Sequence, residues 1–218
     1  MSDLPLIEAT DLAAEAAALL LRELREATAG GRRASIALSG GETPRTTLER
    51  LQPGDLDWSL VDVFQVDERL VGRHNPDRNV RMIETALLSR VPAVAWPMPV
   101  EDHELGHAAD AYAASLPLTL DIVQLGLGAD GHTASLIPGD AVLAAGGDVA
   151  LTGPYQGHRR MTLTIPAINR ARRTVWIVAG AAKREALAAL LDGTVDIPAN
   201  RIDRANAIVI ADGPALGR

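Results

Sequence analysis

Short apolar runs alternate along this chain with stretches patterned as helices, and that alternation restricts its fold more than any other feature. Residues 34–38, 61–66, 120–125, 174–179 and 207–210 are mostly apolar. Each is too brief for a stable helix and suits a strand covered on both faces. Around them, residues 8–29, 44–51, 79–89, 104–115 and 183–191 carry helical patterning. Thr10 or Asp11 caps the first of these, and Gly30 and Gly31 stop it. Thr43 as N-cap and Pro44 as first helical residue start the second, toward Leu51. Residues 161–165 alternate like one more strand. Strands interleaved with helices predict an α/β fold: a mostly parallel, doubly wound (Rossmann-like) sheet with helices on both faces. No internal repeat, low-complexity segment or linker divides the 218 residues, so one domain over 1–218 is expected. The Gly/Ala-rich stretch 139–157 is the expected flexible excursion.

Composition narrows the function. Hydrophobic residues make up 47% of the chain and aromatics only 3%, so Leu, Val, Ile and Ala must fill the core. Trp58, Trp96 and Trp176 are read as core or boundary residues. A net charge of -7 lacks the broad basic surface that nucleic acid requires, yet permits a local basic pocket for a small anion. The absence of cysteine excludes disulfides, thiolate metal sites and cysteine nucleophiles. No apolar run approaches the ~20 residues of a membrane span, and MSDLPLIEATDL is not a signal peptide, so a cytoplasmic protein without a membrane partner is expected. Neither a His-Glu-x-x-His metal motif nor a Gly-x-Ser-x-Gly elbow is present, and no metal or other cofactor is expected. A monomer or small homo-oligomer is expected.

In sheets of this kind ligands sit beyond the carboxyl ends of the strands. Four such ends carry glycine or charge here, which implies one composite pocket. After the first comes Ser39-Gly40-Gly41-Glu42-Thr43, where backbone N–H groups and two hydroxyls can meet an anion. By itself that turn reads first as an ordinary strand-to-helix connection. After the second comes Asp67-Glu68-Arg69. The Arg69 fork suits phosphate, and the two acids could orient it or meet sugar hydroxyls; a solvated charge cluster fits equally. After the third, Gly126, Gly128 and Gly131 surround Asp130 and His132. Residues two apart on a turned backbone can face one ligand, and an imidazole can take and return a proton near neutral pH. After the fourth, Lys183 begins a helix. Arg159 and Arg160 are further candidate anion contacts, whereas His74, His103, His107 and His158 are read as surface or loop residues.

Across nearly the whole chain these segments resemble the 6-phosphogluconolactonase family, within the glucosamine-6-phosphate isomerase/6-phosphogluconolactonase superfamily. The resemblance runs in order through LSGGETP (38–44), VDERLV (66–71), LGLGADGHTASLIPG (125–139), RMTLT (160–164) and VAGAAKREAL (178–187). The related glucosamine-6-phosphate deaminases differ at two places. Their acidic motif ends in Asp-Glu-Tyr, where this chain has Arg69, and their Gly-His block continues toward Ala-Phe-Asn-Glu, where this chain has Thr133-Ala134-Ser135-Leu136. The chain departs from the lactonase pattern at Gly72 and Arg78 but keeps Asn79.

The resemblance implies hydrolysis of 6-phospho-D-glucono-1,5-lactone to 6-phosphogluconate, a reaction of the oxidative pentose phosphate pathway. It implies that Arg69 and Lys183 hold the phosphate. Ser39, Gly40, Gly41, Thr43, Asp67, Asn79 and Arg160 would complete the substrate pocket. His132 would serve as general base on water with Asp130 supporting it, and N–H groups of the glycine loop are candidate oxyanion donors. The alternatives are a glucosamine-6-phosphate deaminase/isomerase and a non-enzymatic sugar-phosphate-binding domain.

Overall fold

The computed structural model describes residues 4–218, and the apolar runs of the sequence become its central strands. Ten strands follow in chain order: β1 (Leu6–Ala9), β2 (Ala34–Leu38), β3 (Val61–Gln65), β4 (Asp67–Arg69), β5 (Val94–Trp96), β6 (Ile122–Leu125), β7 (Val149–Leu151), β8 (Arg160–Leu163), β9 (Arg173–Val178) and β10 (Ala207–Asp212). Seven of them form a parallel sheet in the order β1-β10-β9-β6-β2-β3-β5. From β2 the chain steps outward through β3 to β5. It then returns to β6, on the other side of β2, and steps outward again through β9 and β10. The direction of winding therefore switches between β2 and β6.

Alternate side chains of the central strands enter two cores. Ile36, Leu38, Ile122, Val175, Ile177 and Ile210 point to one face. Ala37, Val123, Leu125, Trp176, Val178 and Val209 point to the other. The first face is covered by helices α1 (Leu12–Thr28), α2 (Glu42–Arg50) and α3 (Asn79–Ile83), the last continuing as a π turn through Leu88. The second is covered by α4 (Leu105–Ser115), α5 (Ile165–Asn169), α6 (Arg184–Asp192) and α7 (Gly213–Leu216). Helix α1 shows why the sequence complies. Asp11 caps it through Ala14 N at 3.2 Å, and Ala16, Ala17, Leu20 and Leu24 recur at helical spacing on its buried face. Truncating Leu20 or Leu24 to Ala would cost about 2–5 kcal/mol.

The other three strands form a small antiparallel sheet in the order β4-β8-β7. Val66 joins it to the main sheet, donating to Leu38 O at 3.0 Å and accepting from Leu163 N at 2.8 Å. Several expectations are corrected here. Asp67-Glu68-Arg69 is a strand, not the start of a loop. Residues 160–162 pair antiparallel with it, and Ile165 opens α5, so the strand expected at 161–165 is β8 of this small sheet and not a strand of the parallel one. The stretch 139–157 contains β7 and a short 3-10 turn capped by Asp140, so part of the expected excursion is regular framework. Residues 8–9 belong to β1, in register with Ala211 and Asp212, rather than to the first helix. Trp58 and Trp176 are buried, while Trp96 lies exposed on the edge strand β5. Among the described residues, no helix is long and apolar enough to cross a membrane.

Candidate active site

The parallel strands put residues 39–43, 126–132 and 179–183 along one edge of the sheet, at the switch between β2 and β6. The small sheet overhangs that edge. Together they enclose an open cleft of about 340 Å³. Ser39, Gly40, Gly41, Thr43, Asp67, Arg69, Asn79, His132, Arg160 and Lys183 all line it. Asp130 does not line the cleft and stands behind His132.

At one end a tight loop holds a base. His132 Nδ1 lies 2.6 Å from Asp130 Oδ1, and the same oxygen accepts from His132 N at 3.2 Å. Burial pushes the Asp130 carboxyl up, but hydrogen bonds from His132 and Tyr155 outweigh it and hold the group below the usual carboxylate range. An ionised carboxylate only accepts, so Nδ1 carries the proton and the lone pair resides on Nε2. Nε2 has no hydrogen-bond partner among the described residues. The close turn needs a glycine: a Cβ at Gly128 would lie 2.0 Å from His132 Nδ1 and 2.5 Å from Asp130 Oδ1. The N–H groups of Gly128 and Gly131 donate within this loop, to His132 O and Gly128 O. Those two are therefore not available to an oxyanion, contrary to expectation. At the start of α2 the N–H groups of Glu42 and Thr43 have no intrahelical acceptor and remain as donors.

Positive charge lines the rest of the cleft. Arg69 is held by Asp77 O at 2.6 Å and Asn79 Oδ1 at 2.8 Å. Asn79 in turn donates to Asp67 O and Asp67 Oδ1. Gly40 has no Cβ because one would overlap the Asn79 amide at 1.8 Å. Burial raises the Asp67 carboxyl above its ordinary value, against the Ser135 hydroxyl, which donates to it at 2.5 Å, and the nearby Arg69 and Arg160. Arg160 is buried, its guanidinium stacked 5.0 Å over the Tyr155 ring, with Nη1 lacking a hydrogen-bond partner. The side chain of Lys183, the residue before α6, has no ion-pair or hydrogen-bond partner among the described residues.

Several expectations about individual residues change. Thr43 is the second residue of α2, not its cap; Gly41 occupies the cap position, so the helix starts two residues earlier in the chain than expected. Glu68 faces away from the cleft. It is fully buried, and N–H groups of Arg69, Asn79 and Val80 converge on its carboxylate, fixing the start of α3. Arg78, the departure from the family pattern, is buried and pairs with Glu68 at 3.0 Å, an approach too oblique for a hydrogen bond from Nε. Arg78 is thus a structural brace beneath the Arg69 loop. Arg159 is exposed and does not line the cleft. His74, His103 and His107 are exposed, as expected, whereas His158 is half-buried 3.2 Å from Asp77 Oδ2. Tyr155 was not singled out by sequence. Its signal is weak, since only the Gln156-Gly157 pair after it marks a two-residue hairpin turn. Among the described residues, no three His, Asp or Glu side chains gather as a metal site would require.

The chain matches the model of a family described as glucosamine-6-phosphate isomerases/6-phosphogluconolactonase over residues 7–210. It is 41% identical over 167 residues to a 6-phosphogluconolactonase of Synechocystis sp., covering 70% of this chain and 69% of that protein. It is 36% identical over 200 residues to a 6-phosphogluconolactonase of Nostoc sp., covering 86% and 83%. The solved structure of 6-phosphogluconolactonase from Trypanosoma brucei superposes with a TM-score of 0.86 at 26% identity, covering 99% of both chains. A monomeric glucosamine-6-phosphate deaminase superposes equally well, with a TM-score of 0.86 at 18% identity over 98% and 99% of the chains. The backbone alone therefore does not separate these two activities.

Proposed function

This chain belongs to the glucosamine-6-phosphate isomerase/6-phosphogluconolactonase family, and we propose that it hydrolyses 6-phospho-D-glucono-1,5-lactone to 6-phosphogluconate, with His132 as general base. One observation carries the reading: His132, oriented by Asp130 from behind, shares a cleft with Arg69 and with Lys183, whose side chain is unpartnered among the described residues. Lys183 supplies a point charge to the phosphate and Arg69 a directional fork. With the phosphate so held, the lactone carbonyl would face His132.

Nε2 of His132 takes a proton from water as the water oxygen bonds to the carbonyl carbon. Asp130 steadies the imidazolium through Nδ1. The N–H donors of Glu42 and Thr43, which line the cleft, would meet the negative oxygen of the tetrahedral intermediate. That intermediate collapses, the bond from carbon to ring oxygen breaks, and the imidazolium returns its proton to the leaving ring oxygen. General-base assistance of this kind contributes ~10²–10⁴-fold.

The deaminase reading finds less support. The residues after His132 offer hydroxyls rather than a carboxylate, and these are engaged: Thr133 donates to Gly126 O and Ser135 to Asp67. The test is a paired assay on purified protein. Rapid loss of freshly made lactone, above its spontaneous hydrolysis, and no ammonia from glucosamine-6-phosphate are expected. Ammonia release without lactone opening would replace this reading with the deaminase.

A further inference from the structure

Asp130 has two carboxylate oxygens, and the base uses one. The other, Oδ2, accepts from the Tyr155 hydroxyl at 2.8 Å. We propose that Tyr155 is a positioning residue: by clamping Oδ2 it keeps Asp130 turned toward His132 and keeps the imidazole proton on Nδ1. This deepens the lactonase reading and rests on it for its effect on turnover.

The local structure is built for such a clamp. Tyr155 and His158 exchange backbone hydrogen bonds of 2.9 and 3.1 Å across a two-residue turn. Gln156 and Gly157 both have positive φ, at 48° and 84°, the mirror-image geometry that closes tight hairpins. The ring is wedged between Arg160, at 5.0 Å, and His132, whose ring meets it edge-on at 5.3 Å. His158 pins the far side of the turn to Asp77, whose carbonyl also holds Arg69.

Hydrogen-bond polarity fixes the direction of the contact. Gln156 Nε2 donates to the Tyr155 oxygen at 3.2 Å, filling a lone pair and directing the hydroxyl proton toward Asp130. The contact from Tyr155 Oη to His132 Nδ1 is longer, at 3.3 Å, and secondary. The Asp130 side chain is 37% exposed, so without Tyr155 its carboxylate is free to turn toward water. Nδ1 would then lose its fixed acceptor, and the imidazole would populate both tautomers. Only one of them presents a basic Nε2.

Tyr155→Phe isolates the hydroxyl while keeping the ring packed against Arg160 and His132. Two readouts apply: steady-state kinetics on fresh lactone, and nitrogen NMR of the His132 ring in histidine-labelled protein. About tenfold lower kcat is expected, with KM within about twofold, since losing one hydrogen bond to a charged group is worth roughly that factor. The ring nitrogens should move from a single Nδ1–H tautomer toward a mixture. Either readout left at its wild-type value overturns the proposal. The failures are separable. If the wild type opens no lactone, the reaction is wrong and the nitrogen spectra still decide the clamp. If His132→Ala is inactive while Tyr155→Phe matches wild type, the clamp alone is wrong.

Discussion

The two ends of the cleft are organised in opposite ways. At the base end, Asp130 and His132 lie two residues apart on one loop, and both carboxylate oxygens of Asp130 are occupied by Tyr155 and His132. At the anion end, Arg69 and Lys183 come from separated elements, and the Lys183 side chain is left without a partner among the described residues. An unpaired cation in a cleft of an acidic protein is a poor contributor to folding and a ready contact for phosphate. A carboxylate–imidazole pair with its partners in place is already arranged for proton transfer. One end is complete before substrate arrives, and the other is completed by it.

Substitutions should separate the two ends. The largest effect is expected at His132→Ala, which should lower kcat about 10²–10⁴-fold in a steady-state assay with little change in KM. Gly128→Ala comes next. Its Cβ would overlap both His132 and Asp130, so kcat should fall about 10²-fold, the low end of that range. The same overlap should cost about 1–3 kcal/mol in denaturant unfolding. Lys183→Ala should instead raise KM about 10–100-fold with kcat nearly preserved, as expected for loss of a charged hydrogen bond to the phosphate. A fall in kcat there without a change in KM would break the comparison.

The smallest effect concerns pH. Asp130 is held below the ordinary carboxylate range, so it contributes stability above about pH 3.9 that is lost as pH falls through its lowered value. Asp67 is raised, chiefly by burial, so its contribution has the opposite sign: present below about pH 3.9 and lost as pH rises through its raised value. Thermal unfolding of Asp130→Asn should therefore lie closer to wild type in acid than at neutral pH. A gap that widens in acid would show that Asp130 is not the stabilised carboxylate.

What the sequence revealed follows the same division. Strands β2, β3, β6, β9 and β10 are buried on both faces, so their apolar runs announce them. The loop with Asp130 and His132 is contiguous, and its glycines mark it. Of the small sheet only β8 gave a local signal, the alternation at 161–165. Asp67-Glu68-Arg69 has poor strand propensity and is extended because it pairs with residues 160–162, a contact that no local pattern encodes. The exposed edge strand Val94–Trp96 is too short to show a period. Tyr155 was missed because its role depends on a hairpin that brings it across to Asp130, 25 residues away in sequence. Glu68 reads as a solvated charge or a partner of Arg69 or sugar hydroxyls, and Arg78 only as a departure from the family pattern; packing shows the two to be a buried brace.

The separation of the two ends is tested most directly by titrating 6-phosphogluconate into the His132→Ala protein by calorimetry at fixed ionic strength. A dissociation constant within about threefold of wild type is expected, because the phosphate contacts are untouched; a tenfold weakening, about 1.4 kcal/mol, would contradict the account.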